Sequence, residues 1–246
     1  ELAHVAEHQR DYKGALGYLA HARDIDAENA SVHFFFGIVC MEDNLLQEAY
    51  SSLKKAVSLD SGNPYYNLAL GLVALQEEPE KAVPAFKKYC EKRPSDPRGH
   101  FGLGVAYFYN RSYDLARREL TPLTAHRETA AGAHYFLGRT AQKQDQLSNA
   151  ERELEEAVST DPKYADAAAE LGQVRLAAGE YKMAEQALRR ALEIDQDNYT
   201  AHVNLMVLYH RKGDPRAAME AQRVKEIRKA SLERSMERLR RIVIQR

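Results

Sequence analysis

One small residue recurs along the chain at an almost fixed interval: Ala15, Ala49, Ala82, Ala116, Ala150, Ala184 and Ala218, at steps of 34, 33, 34, 34, 34 and 34 residues. A second series, Gly37, Gly71, Gly104, Gly138 and Gly172, keeps the same phase and the same single 33-residue step before passing to Met206. A large apolar residue stands just before each member of this second series (Phe36, Leu70, Leu103, Leu137, Leu171, Leu205). Four residues after each of the first six alanines comes Leu19, Leu53, Phe86, Leu120, Leu154 or Leu188. Such a period means an array in which one small unit, unable to bury its apolar face alone, stacks on the next. Each unit reads as two apolar-periodic helices joined by a short polar turn, such as Glu42-Asp43-Asn44 or Ala178-Gly179-Glu180. The small positions belong where helix axes approach to about 8–10 Å, which a bulky side chain would prevent.

These motifs resemble the tetratricopeptide repeat, with Leu-Gly in a first helix, Ala-x3-Phe in a second and a Pro closing the unit. The resemblance implies an all-α, right-handed superhelical solenoid of helix-turn-helix repeats with a long C-terminal helix. It divides the chain into a truncated repeat at 1–29, repeats at 30–63, 64–96, 97–130, 131–164, 165–198 and 199–228, and a basic amphipathic extension at 229–246. Because the chain begins with Glu, partway through a repeat, it reads as a fragment or a processed product. The family's first-helix aromatic is replaced by His33, His100, His134 and His202, and its closing Pro remains only as Pro94 and Pro162. Pro84 and Pro122 fall inside second helices, where each removes a backbone donor, so bends are expected there.

Composition agrees with helix: 44% of the 246 residues are apolar, 29% are charged, and there are 8 prolines and no Trp. A formal net charge of -1 argues against a general nucleic-acid surface. Cys40 and Cys90 are too few for a disulfide framework or a metal cluster of their own and read as small buried hydrophobes. No stretch approaches the ~20 apolar residues of a membrane span, and no compartment is indicated.

Several motifs suggest chemistry and fail on context. His4-Val5-Ala6-Glu7-His8 has the spacing of inverted zinc proteases, but lies in a repeat helix without a third ligand. The four repeat histidines belong to four different units and cannot converge on one ion, so they read as structural. Asn29, Asn110 and Asn198 begin N-x-[S/T] triplets, most simply by chance. No phosphate loop, nucleophile elbow or dinucleotide fingerprint occurs; the chain reads as non-enzymatic, with no cofactor.

The first helices of the early repeats, SVHFFFGIVCME at 31–42, YYNLALGLVALQ at 65–76 and RGHFGLGVAYFY at 98–109, are apolar nearly all round. Such a helix is buried on two faces or offers one to a partner. By the resemblance, a concave groove receives Phe34, Ile38, Met41, Leu68, Leu72, Leu75, Phe101, Val105, Phe108, Tyr109 and Tyr135, and turns polar and positive at Arg139 and Lys143. Family members that clamp a terminal carboxylate use polar residues where this chain has Phe34, Ile38, Leu68 and Leu72. An Asn ladder is absent too, its series reading Phe35, Ala69, Gly102, Phe136, Glu170 and Asn204.

The reading is therefore a protein-interaction scaffold that takes an apolar or amphipathic peptide segment. The alternatives are a solenoid that self-associates through the groove or the C-terminal helix, and the regulatory arm of a larger enzyme. From Lys225 onward eight Lys and Arg face three Glu, while Leu232, Met236, Leu239 and Val243 form a stripe. That helix is expected to cap the array or pair with a second chain, with an anionic membrane surface or nucleic acid as the other option.

Overall fold

The computed structural model describes residues 11–244, with side chains described as far as Glu233. Among the described residues every regular element is helical, and the helices fall into two compact units, 1–129 and 130–246. The first holds α1 (Tyr12–Ile25), α2 (Ala30–Glu42), α3 (Leu46–Leu59), α4 (Pro64–Glu77), α5 (Pro79–Lys92), α6 (Pro97–Tyr109), α7 (Tyr113–Leu120) and a 3₁₀ turn (Thr121–Ala125). The second holds α8 (Ala130–Lys143), α9 (Leu147–Thr160), α10 (Ala165–Ala177), α11 (Tyr181–Ile194), α12 (Tyr199–Arg211) and α13 (Arg216–Ile244).

The glycine of the first helix and the large apolar residue of the second meet inside five of the helix pairs. A Cβ added to Gly37 would lie 2.6 Å from Leu53 Cγ, and one on Gly104, Gly138 or Gly172 would lie 2.6, 2.6 or 2.5 Å from Cγ of Leu120, Leu154 or Leu188. At Gly71 the neighbour is the Phe86 ring, 2.7 Å away. The glycine of the first helix is thus the socket for the large residue that follows the alanine of the second, and all five large residues are fully buried. Truncating one of these leucines should cost about 2–5 kcal/mol. The last pair has exchanged both halves of the device: half-buried Met206 stands in the glycine position, and Gln222 in the leucine position is exposed and donates to Glu226.

The turn between the helices of a pair carries one residue in the left-handed region: Asn44, Arg111, Asp145, Gly179 or Gly213, with φ between 58° and 82°. The pair α4–α5 has none. Only Glu78 separates its helices, and Pro79 starts the second at a position where a missing N–H costs no helical bond. Here lies the 33-residue step: the turn has lost its left-handed residue. Helix α5 continues through Pro84, whereas α7 stops at Leu120. Pro122, expected to bend a second helix, instead accompanies a change to 3₁₀ geometry over Thr121–Ala125, since proline cannot donate to the α-helical ladder.

Side chains fasten the starts of the first helices. Asn29, Asn63, Asp96 and Asn198 accept backbone N–H bonds as N-caps, which gives two of the three N-x-[S/T] asparagines a structural task. Histidine clamps follow. His100 Nδ1 lies 2.8 Å from Glu119 on the second helix and its Nε2 lies 3.1 Å from the Pro94 carbonyl. His202 repeats this with Glu220 at 2.6 Å and the Gln196 carbonyl at 2.9 Å, and His134 meets Glu153 at 2.8 Å. Two Asp-Pro-Arg segments make bidentate clasps, Arg98 on Asp96 and Arg216 on Asp214, each also reaching a tyrosine hydroxyl, Tyr89 or Tyr209.

Candidate functional site

In the first unit α2, α4 and α6 lie side by side in contact, so residues in equivalent positions on each make one face. Phe34, Ile38 and Met41 on α2, Leu68 and Leu75 on α4, and Phe101 on α6 are half-buried, while Leu72 and Tyr109 are 44% and 48% exposed. The Phe34 ring packs on that of Tyr66, 4.8 Å between centroids, tying α2 to α4. Val105 and Phe108, expected on the groove surface, lie beneath it at 6% and 5% exposure, with Phe108 against Tyr109 and Tyr113. Their helix contains Gly99, Gly102 and Gly104, each buried under a neighbouring side chain, and so sinks deeper than its neighbours.

Tyr65 joins this face, beyond the residues expected there from the sequence. It stands three residues before Leu68 and seven before Leu72, is 39% exposed, and has the Arg93 and Arg98 guanidiniums 5.4 and 5.9 Å from its ring centre. The signal was the i, i+3, i+7 spacing. The rim is thus aromatic with two cations over it, an arrangement favourable by the ring quadrupole.

In the second unit the expected residues Tyr135, Arg139 and Lys143 all lie on α8. Tyr135 is buried and stacks on Tyr164, 4.9 Å between centroids, and burial pushes its phenol well up. Arg139 is half-buried, covers the Tyr135 and Phe136 rings at 5.4 and 5.7 Å, and pairs with Glu170 of α10 at 3.7 Å. Burial raises the Glu170 carboxyl above its ordinary range, opposed by Arg139 and Lys143. Gln142 donates to Gln173 at 3.2 Å. Lys143 is exposed. This surface is a polar ladder closed on itself, unlike the apolar face of the first unit.

Burial is the main cause that pushes the Cys40 thiol up to about 12 and the half-buried Cys90 thiol up to about 11, so neither offers a thiolate near neutrality. Among the described residues no three His, Cys, Asp or Glu side chains are grouped to hold a metal; His4, Glu7 and His8 lie outside the described residues. No described helix is long and apolar enough to cross a membrane.

Family models described as tetratricopeptide repeat match residues 66–121, 141–198 and 175–221, together more than half of the chain. The chain belongs to the tetratricopeptide-repeat family. Repeats of this family serve in general as non-enzymatic scaffolds for other proteins. In fold this tetratricopeptide-repeat chain is similar to a tetratricopeptide repeat protein from Parabacteroides merdae ATCC 43184, at 15% identity and a TM-score of 0.78 over 92% of this chain and 90% of that one. It is also similar to a chain of the APC/C hetero-tetramer Cut9–Hcn1, at 19% identity and a TM-score of 0.72 over 85% of this chain, and spans 42% of that chain's length. YrrB, a TPR protein with an unusual peptide-binding site, is similar at 22% identity and a TM-score of 0.54 over 74% of this chain and 95% of its own. No curated protein matches the chain.

Proposed function

We propose that the chain is a protein-interaction scaffold whose first unit takes an apolar or amphipathic peptide segment on the face of α2, α4 and α6. The observation that carries this is the exposure of Tyr65, Leu72 and Tyr109 on one face above half-buried Phe34, Ile38, Leu68 and Phe101. Large apolar groups held by packed helices lose little freedom on binding and make good anchors. The peptide-binding site of YrrB, a protein of similar fold, favours a peptide as the occupant.

The test is selection of peptides from a random displayed library on the full chain, followed by the variant Leu72→Glu. A charge at a half-exposed position in the centre of the face should weaken selected apolar peptides at least tenfold with the melting temperature unchanged. Peptides that bind the variant equally well would remove α4 from the site.

A further inference from the structure

The histidine clamps reveal a vacancy in one repeat. Glu119 lies 19 residues after His100, and Glu153 lies 19 after His134; each carboxylate sits 2.8 Å from the histidine Nδ1. In the pair α2–α3 the histidine remains and the carboxylate does not, because the position 19 residues after His33 is Ser52. His33 Nε2 keeps its carbonyl, that of Ala27 at 2.9 Å, but its Nδ1 has no hydrogen-bond partner among the described residues. Ser52 is only 7% exposed, and its buried Oγ likewise has no hydrogen-bond partner among the described residues. A buried hydroxyl left unpaired gives up the hydrogen bonds it would make to water, so a ligand that restores one is favoured.

An open pocket of about 520 Å³ lies over this gap, with Arg23, His33, Ser51, Ser52, Glu48 and Lys55 in its wall. Arg23 reaches in from α1, its guanidinium 4.8 Å above the Phe36 ring, and no carboxylate among the described residues pairs with it. Lys55 is shared with exposed Glu28, 3.1 Å away. Glu48 is the acidic member of the wall and opposes an anion.

We propose that this pocket is a carboxylate-binding site, in which an exogenous carboxylate takes the place that Glu119 and Glu153 occupy in the sibling repeats. One oxygen accepts from His33 Nδ1–H, on a ring protonated at both nitrogens because its Nε2–H already donates to the Ala27 carbonyl, and the other from the Ser52 hydroxyl, with Arg23 and Lys55 supplying further charge; such charge-assisted bonds are the stronger kind. The carboxylate belongs to an acidic side chain or chain terminus of a partner polypeptide, or to a free small acid.

The experiment follows the His33 ring signals of the full chain by NMR, assigned by their loss in His33→Gln, during titration with acetate and with a blocked glutamate peptide. Saturable shifts of the His33 signals are expected, and tenfold tighter binding of the peptide than of acetate identifies a polypeptide source, equal binding a free acid. Ser52→Glu restores the internal carboxylate, so it should raise the melting temperature and abolish the shifts. Arg23→Gln should weaken binding at least tenfold and Glu48→Gln should strengthen it. Absence of a saturable shift at His33 overturns the proposal, as does a Ser52→Glu protein that still binds acetate. Should Ser52→Glu fail to fold, unchanged affinity in Arg23→Gln overturns it equally.

Discussion

At the scale of single residues, the glycine sockets decide how closely the helices of a pair approach. Gly138→Ala places a methyl 2.6 Å from Leu154 Cγ, a separation that real side chains do not tolerate. It should cost about 1–3 kcal/mol by urea denaturation. Combining it with Leu154→Ala should cost less than the sum of the two single changes, because the second makes room for the first. The Asp96 clasp makes a different prediction. The Arg98 guanidinium, helped by the Tyr89 hydroxyl and the Arg98 backbone N–H and opposed by burial, holds the Asp96 carboxyl far below its usual range. A depressed acid stabilises the fold above its unfolded pKa, about 4 for Asp, and loses that contribution as pH falls towards the folded value. Asp96→Asn should therefore lower the melting temperature at pH 7, and the gap to the wild type should narrow below about pH 4. The glycine series was legible in the sequence as a period. The clasp was not, because the Tyr89 hydroxyl that completes it stands seven residues before Asp96, on a different helix.

At the scale of the element, helix pairs are set by their turns. Gly179 has φ +82° and open space where a Cβ would go, so Gly179→Ala carries a purely backbone cost of about 1–2 kcal/mol. Arg111 already bears such a cost at φ 58°, and Arg111→Gly should raise the midpoint of denaturation. Opposite signs at equivalent positions would show in a pair of thermal melts. The order of helices and the 33-residue step could be read from the spacing alone, but the cause of the step could not, since a deletion shifts the period wherever in the repeat it falls. The end of α7 near Pro122 escaped for a related reason: proline removes a donor, and only the packing decides whether a helix bends or stops.

At the scale of the whole molecule, the sequence shows which helices are apolar all round better than it shows which of their side chains are exposed. The segments at 31–42, 65–76 and 98–109 are apolar all round, so periodicity cannot say which apolar residues point inward. Val105 and Phe108 fell on the buried side of that ambiguity, and Tyr65 on the open one. Phe108→Ala should accordingly act on stability, at about 3–5 kcal/mol, where Leu72→Glu acts on binding. For the C-terminal stripe, Leu232 is 63% exposed on α13, while Met236, Leu239 and Val243 lie outside the described side chains.

The last helix pair, α12–α13, lacks the glycine socket, and Ala218, unlike the six alanines in phase with it, is exposed beside a pocket walled by Met206, Val207, Ala217 and Ala221. In a repeat array each unit is held mainly by its neighbours, so the loss of one interlock acts locally. Amide hydrogen exchange should therefore be graded along the second unit, with α12 and the first turns of α13 opening before α10 and α11. Filling the Gln222 position with Leu and the Met206 position with Gly should flatten that gradient, so that the last pair opens together with α10 and α11 rather than ahead of them.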